Sequence, residues 1–418
     1  MPQGPGAAVL ERPPASFAAI PVLPLLMGLG HGLLALFVFF ICFTFLRPSP
    51  YDFVALPTVA LWLCLGIRLY RGALPGVGLL VAYHLALLVA LLPHLGEALP
   101  LEWTLQAFYL MVTAVFFAML FSDDTERRVT LALNAYVASC LFAAGAGIAS
   151  YFDLFGGVLF KMDGRAAGVF EDPNVLGSFL VPGALYLAHG LVLGHSRRRL
   201  LAAGALALIM AAIFLSFSRG SWAAAAVAFP TMIALAWRTS GPAVRRRIVA
   251  LGALAALGGV LLLGALLSVE GVAERFENRA QLTHSYDEGV TGRFGNQMRS
   301  VPMLIEEPLG FGPLRFRRHF GLEPHNSYIG AFANGGWLGG FAFLALVAAT
   351  TFVGFRLCLT PSPYRHLAQM AWPGLFIFFL QAVQIDVDKW RHVYLLLGIV
   401  WGLEAARLRW RAAQARAG

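Results

Sequence analysis

In the stretch GLEPHNSYIGAFANGG, residues 321–336, a histidine stands directly after a proline and directly before a long apolar run. Histidine is the side chain most readily poised to take up a proton near neutral pH, which makes His325 a candidate general base. Pro324 restricts the backbone beside it. Asn326 or Ser327 has the side chain of a helix N-cap. Position alone equally fits a capping-region histidine that only hydrogen-bonds backbone. His94, His284, His319 and His392 sit at comparable places and compete for the role, whereas His31, His84 and His189 fall inside apolar runs and read as packed residues.

Three arginines could act with such a base on a phosphorylated substrate, because guanidinium is a permanent charge whose planar fork grips phosphate oxygens in pairs. Arg219 lies in SFSRGSW, a connection of few residues between apolar runs. A charge there is a functional candidate by default, although a long side chain can also cap a turn and reach lipid headgroups. Arg165, in DGRAAGVFEDPN, has Asp163, Glu171 and Asp172 as alternative partners. Arg293, in TGRFGNQ, opens a helical pattern and is otherwise a solvated loop charge. Arg315, Arg317 and Arg318 form a run of the kind that edges a surface. No metal site is expected: there is no HExxH, no P-loop and no GxGxxG after a strand.

The elements that position these residues belong to a membrane. Of the 418 residues 59% are hydrophobic and 13% charged, against about 25% charged in soluble domains. Apolar runs of roughly 20 residues, enough to cross a hydrocarbon core, recur along the chain. Twelve spans are expected, near 22–46, 52–69, 73–94, 101–121, 128–152, 173–194, 200–217, 221–237, 248–269, 326–355, 366–386 and 391–407. The net charge of +9 then belongs to loops and helix ends, and points to anionic lipid or phosphate rather than nucleic acid. Cys42, Cys64, Cys140 and Cys358 lie in apolar runs without a CxxC, so neither disulfides nor zinc are expected. The N-terminus lacks a signal-peptide pattern and reads as a tail before a retained helix.

Arginine placement orients the spans. The set of connections holding Arg68, Arg71, Arg127, Arg128, Arg197–199, Arg238, Arg245–247, Arg356, Arg365 and the C-terminal arginines far outweighs the set holding Arg47, Lys161, Arg165, Arg219, Lys389 and Arg391. Both termini, with tails 1–17 and 408–418, are therefore expected in the cytoplasm. Residues 270–325 form one long outward loop. Within it Phe294, Met298, Val301, Leu304 and Ile305 recur at helical spacing, which predicts an amphipathic helix on the bilayer or on the bundle, with Pro302 as a weak point.

Four pieces in order, RAAGVFEDPNVLGSFL (165–180), SFSRGSWAAAA (216–226), TGRFGNQMRSVPMLIEEPLGFGPLRF (291–316) and HNSYIGAFANGGWLGG (325–340), resemble the O-antigen ligase/polymerase family of bacterial membrane glycosyltransferases. RPSPYDF (47–53) is a weaker likeness, and the acidic FEDPN departs from a more neutral run. The resemblance implies an all-α, GT-C-like polytopic domain over 1–418 in the bacterial inner membrane, with its active site facing the periplasm. It implies inverting, metal-independent transfer, without cofactor, of a glycan from undecaprenyl diphosphate to a sugar hydroxyl of lipid A–core. By position, His325 would be the base and Arg219 and Arg293 would hold the diphosphate, with Arg165 assisting. Asn326, Ser218, Asn174, Gly310 and Gly312 would support them. An O-antigen polymerase or a protein O-oligosaccharyltransferase would use the same donor. A twelve-span transporter is the reading from another class, but it predicts repeats and midplane charges, and no repeat is evident.

Overall fold

The computed structural model describes residues 22–46, 48–194, 198–280, 289 and 292–417. Arg47, Arg197, His284 and the tail 1–17 lie outside the described residues. Nine helices run in succession: α1 (Val22–Phe39), α2 (Pro50–Cys64), α3 (Leu74–Leu91), α4 (Ala98–Phe121), α5 (Thr125–Tyr151), α6 (Pro173–Leu193), α7 (Arg199–Leu215), α8 (Arg219–Thr239) and α9 (Pro242–Leu267). The stretch expected as one outer loop carries α10 (Val272–Ala280), α11 (Arg293–Glu306) and α12 (Phe316–Phe320). Then come α13 (Ser327–Leu359), α14 (Arg365–Gln381) and α15 (Arg391–Ala417). A short antiparallel hairpin, β1 (Phe160–Met162) with β2 (Arg165–Gly168), departs from the all-α expectation.

Each expected apolar segment falls on a helix. Among the described residues eight helices are long and apolar enough to cross a membrane, while α2 and α7 are apolar but shorter. The ends differ in both directions: α2 stops at Cys64 and α1 passes through a 3-10 turn ending at Cys42, whereas α9 begins at Pro242 and α15 runs to Ala417, through most of the expected tail 408–418. Lipid tails are as apolar as leucine, so the helices associate through close packing rather than hydrophobic exclusion. Glycines supply it. A Cβ on Gly402 of α15 would stand 2.8 Å from the Cβ of Phe121 on α4, and one on Gly335 of α13 would stand 3.2 Å from Leu87 on α3. Large rings fill the rest, as where Phe117 stacks on Phe37 at 5.3 Å and on Phe121 at 5.6 Å.

The bundle has a basic end. Arg128 donates to the Leu120 carbonyl at 3.0 Å, Arg245 to Trp237 at 3.0 Å and Arg365 to Thr239 at 3.5 Å, all near helix C-termini, where exposed carbonyls and the helix dipole favour cations. Glu404 takes Arg356 and Arg407 there, each at 2.7 Å. The N-termini of α6, α8 and α13 and the C-terminus of α14 gather at the other end, as the contacts below establish.

Helix α13 breaks at Gly336, whose φ of 64° is left-handed. A break at membrane depth must have its freed backbone groups satisfied by protein. Segment 308–314 does this. Phe311 and Gly312 donate to the Ala333 carbonyl at 2.8 and 3.1 Å, and Trp337 N–H donates to Pro308 at 2.9 Å. Leu314 N–H donates to the Asn334 side chain at 3.1 Å. Gly310 makes the approach feasible: its φ is 72°, and a Cβ would lie 2.6 Å from the Phe332 carbonyl. Gly310 and Gly312 therefore brace the kink of α13.

Helix α11 forms through Pro302, and of the two expected placements it takes the one with its apolar face turned away from the bundle. Its polar residues Asn296, Gln297 and Ser300 are buried, and of the expected apolar face only Leu304 is. Phe294, Met298, Val301 and Ile305 point away from the protein, which suits a helix lying in a membrane interface. Gln297 shows why the polar edge faces in: it donates to the Pro324 carbonyl at 2.8 Å, one residue before His325.

Replacing Gly310 by alanine is expected to destabilise the detergent-solubilised protein by about 1–3 kcal/mol, the cost of forcing a non-glycine residue into a left-handed, crowded position. Thermal unfolding measures it, and an unchanged midpoint would contradict this account of the kink.

Candidate active site

His325 occupies an unusual backbone position. Its φ is 47°, a left-handed conformation that costs a non-glycine residue about 1–3 kcal/mol and persists only where the surroundings enforce it. The enforcement comes from both sides. Asn326 caps α13, accepting from Tyr328 and Ile329 N–H at 3.0 and 3.1 Å. The loop after α14 holds the same turn: Asn326 N–H donates to Asp386 Oδ1 at 3.0 Å, Ser327 N–H to the Ala382 carbonyl at 2.8 Å, and Val387 N–H to Ser327 Oγ at 2.8 Å.

The result aims the imidazole at a carboxylate. His325 Nδ1 is 3.6 Å from Asp386 Oδ2, and the histidine side chain remains 49% exposed. With Nδ1 on the Asp386 side, Nε2 is the ring nitrogen left to meet a substrate proton. Burial lowers the His325 pKa below the ordinary histidine value; the positive charge of Arg293 adds to this and Asp172 opposes it. The imidazole is thus neutral, and basic, at pH 7. The Asp386 carboxyl is pushed up to about 8 by burial and by the negative charges of Asp388 and Glu323, against hydrogen bonds from the Asn326 and His325 backbone. Burial also raises Asp388, with Lys389 opposing. Lys389 rests over the Trp103 ring at 3.9 Å and donates to the Trp103 carbonyl.

The arginines sit on separate elements at the same end of the bundle. Arg219 is the first residue of α8, where the helix dipole adds to its charge. Ser218 caps that helix by accepting from Ser221 N–H at 3.2 Å. Phe217, one residue earlier, has a left-handed φ of 46°. Ser221 Oγ in turn donates to the Asn174 carbonyl at 3.3 Å and lies 3.1 Å from Ser178 Oγ, which accepts from Gln381 at 3.0 Å. Gly177 lets α6 and α8 meet, since a Cβ there would stand 2.6 Å from both Ser216 Oγ and Ser221 Oγ. Gln384 joins the two phosphate-binding candidates: its side chain lies 3.2 Å from a Cβ built on Gly220, and its carbonyl accepts from Arg293 at 3.2 Å.

Arg165 is placed differently. It is 7% exposed, and its guanidinium donates to the Ser216 carbonyl at 2.9 Å and to Asn174 Oδ1 at 2.8 Å. Its fork is engaged by protein atoms and braces the turn that presents Ser218 and Arg219. Asp172 of FEDPN caps α6, accepting from Asn174 N–H at 2.8 Å.

Among the rival histidines, His392 is 3% exposed and enclosed by Phe378, Trp390 and Phe179, so it is a core residue rather than an outward one. His94 lies against Gly312 and 3.4 Å from Glu97, which also takes Arg315 and Arg318. His319 packs as a tilted ring against Phe311 at 4.5 Å. His325 alone of these is seen to combine a carboxylate partner with the charge of Arg293. Sequence reasoning passed over Asp386, Asp388 and Gln384. The available signal was the D-x-D in QIDVDKW, set between the last two apolar runs.

What the arrangement offers is a neutral imidazole beside the Asp386 carboxyl and within the field of Arg293, with Arg219 at the start of α8 at the same end of the bundle, chemistry suited to deprotonating a hydroxyl next to a phosphorylated group. Residues 203–344 match the family model of the O-antigen ligase. That span holds Ser218, Arg219, Arg293, Gly310, Gly312, His325 and Asn326, and leaves Arg165, Asn174 and Asp386 outside it. No match was found among curated proteins. Over residues 203–344 the chain is thus similar to the O-antigen ligase family.

Proposed function

We propose that this protein transfers a glycan from undecaprenyl diphosphate to a sugar hydroxyl of lipid A–core at the periplasmic face of the bacterial inner membrane. The observation that carries the reading is His325, held in a strained turn against Asp386 and close enough to Arg293 to feel its charge. Orientation rests on the basic end of the bundle, which the positive-inside rule places in the cytoplasm. The site lies at the opposite end.

In the proposed reaction the acceptor hydroxyl attacks the anomeric carbon from the face opposite the diphosphate. The new C–O bond forms as the bond to the diphosphate oxygen breaks, so configuration inverts. The hydroxyl proton passes to Nε2 of His325, whose ring the turn holds beside the Asp386 carboxyl. Charge grows on the leaving diphosphate, where Arg219 and Arg293 meet it. Fixed cations aimed at developing charge are the largest single contribution in most such sites, and two guanidinium groups can serve where other enzymes use a metal ion. Arg165 acts one step back, by holding the turn that presents Arg219.

His325→Ala is expected to lower the transfer rate by about 10²–10⁴-fold while membrane insertion and thermal stability stay near wild type. Near-normal transfer would remove His325 from the mechanism. Arg219→Lys should be severely impaired, because a point charge does not reproduce the paired contacts of the fork; wild-type turnover would leave Arg219 as a headgroup anchor. The pH profile supplies a separate check. A base works when deprotonated, so activity falls as pH drops through the His325 pKa, and that limb should lie below the ordinary value of about 6.5. Arg293→Gln removes a positive neighbour and should move the limb toward higher pH. A limb that stays in place would contradict the placement of Arg293 beside the base.

A further inference from the structure

Past the end of α5 the chain forms a segment that is apolar and uncovered. Phe152, Leu154, Phe155, Val158, Phe160 and Met162 all stand exposed, Val158 by 80%. Gly156 and Gly157, both with left-handed φ, turn the loop, and Asp153 closes it by accepting from Gly157 N–H at 2.8 Å. Leu159 packs on the core and β1 pairs with β2, so the segment is fixed from both sides. The ring contact of Tyr151 with Phe217 at 6.1 Å places it at the same end of the bundle as Ser218 and Arg219.

At the base of this segment two cations converge on one ring. Tyr151, the last residue of α5, is buried. Lys161 of β1 donates to its carbonyl at 2.7 Å and stands 5.3 Å from its ring centre. Arg275 of α10 donates to its hydroxyl at 2.9 Å and stands 5.6 Å from the same centre. Gly164 makes room for Arg275, since a Cβ there would lie 2.7 Å from the guanidinium Nε. Each cation uses one N–H on Tyr151 and keeps others. Among the described residues neither is drawn into an ion pair with a carboxylate. Two positive charges held around one ring repel each other, and an anion beside them relieves the repulsion.

We propose that Lys161 and Arg275 bind the headgroup phosphate of an anionic phospholipid, in the leaflet on the His325 side, and that the loop 152–160 lies at the acyl boundary beside it. The site uses neither Arg219 nor Arg293 and does not rest on the transfer reaction. The pairing of features decides the occupant. Cations alone would suit any phosphate, and apolar side chains alone any lipid tail. Large apolar groups next to two cations match a molecule that carries a phosphate above acyl chains. On β1, Phe160 and Met162 flank Lys161 and all three are exposed, which sets an ammonium among apolar groups as interfacial segments do. A net-negative headgroup offers its charge to both cations, whereas a zwitterionic one brings a cation of its own.

The test is native mass spectrometry of the full-length protein in detergent, titrated with phosphatidylglycerol or with phosphatidylcholine of the same acyl chains. For the first lipid bound, Lys161→Gln combined with Arg275→Gln should weaken phosphatidylglycerol about tenfold and leave phosphatidylcholine unchanged. Lys161→Arg combined with Arg275→Lys keeps both charges and should restore most of the binding, which separates loss of charge from damage to the fold. Phe155→Ser combined with Val158→Ser leaves the cations in place and should also weaken phosphatidylglycerol. Arg299→Gln, at an exposed arginine of α11, should change nothing. If the double glutamine variant binds phosphatidylglycerol as wild type does, the two cations are not a headgroup site. If the serine pair binds it as wild type does, or glycerol phosphate in solution displaces it at equal concentration, the site takes a soluble anion and the lipid proposal fails.

Discussion

The site depends on one junction, the locking of the first residues of α13 to the loop between α14 and α15. Asn326 and Ser327 exchange hydrogen bonds with Ala382, Asp386 and Val387, and this fixes the left-handed turn that carries His325. The strain is small beside the total of these bonds, but it decides where the imidazole points. Without Asp386 as acceptor for the Asn326 N–H, the turn would lose its outer support and the histidine its carboxylate in one step. The same residue thus holds the turn through the Asn326 N–H and faces the imidazole it carries.

Around that junction each arginine has its own scaffold. Arg219 is carried by a capped helix start braced by Arg165 and Asn174. Arg293 starts α11, whose polar edge is pinned next to His325 by Gln297. The broken helix α13 is held in shape by segment 308–314, for which Gly310 supplies the required left-handed turn. Motifs far apart in the chain therefore gather at one end of the bundle, two of them carrying arginines at helix starts and others holding the helices together there.

Much of this was legible in the sequence, and the reasons are physical. A run of twenty apolar residues has few alternatives to a helix in a membrane, so every expected span falls on one. His325 and Arg219 announced themselves because a polar or charged group beside an apolar run is expensive without a purpose. Other features were hidden because they depend on contacts across long separations. Asp386 meets His325 across 61 positions of chain, and nothing local to QIDVDKW says which of its carboxylates does so. Arg165 looked like a ligand arginine, whereas its partners, Ser216 and Asn174, are protein atoms that only folding brings near. The orientation of α11 was open for the same reason. Its periodicity defines two faces, but only the buried polar groups beneath it determine which one turns inward.

The most direct test of the central claim is reconstitution. Purified protein in vesicles, with undecaprenyl-diphosphate-linked glycan and lipid A–core on the face bearing His325 and a chelator present, should join glycan to core. NMR of the product should show the anomeric configuration inverted. If the glycan remains on its carrier, or only crosses the membrane still attached to it, the assignment of His325 and its arginines to glycosyl transfer is wrong.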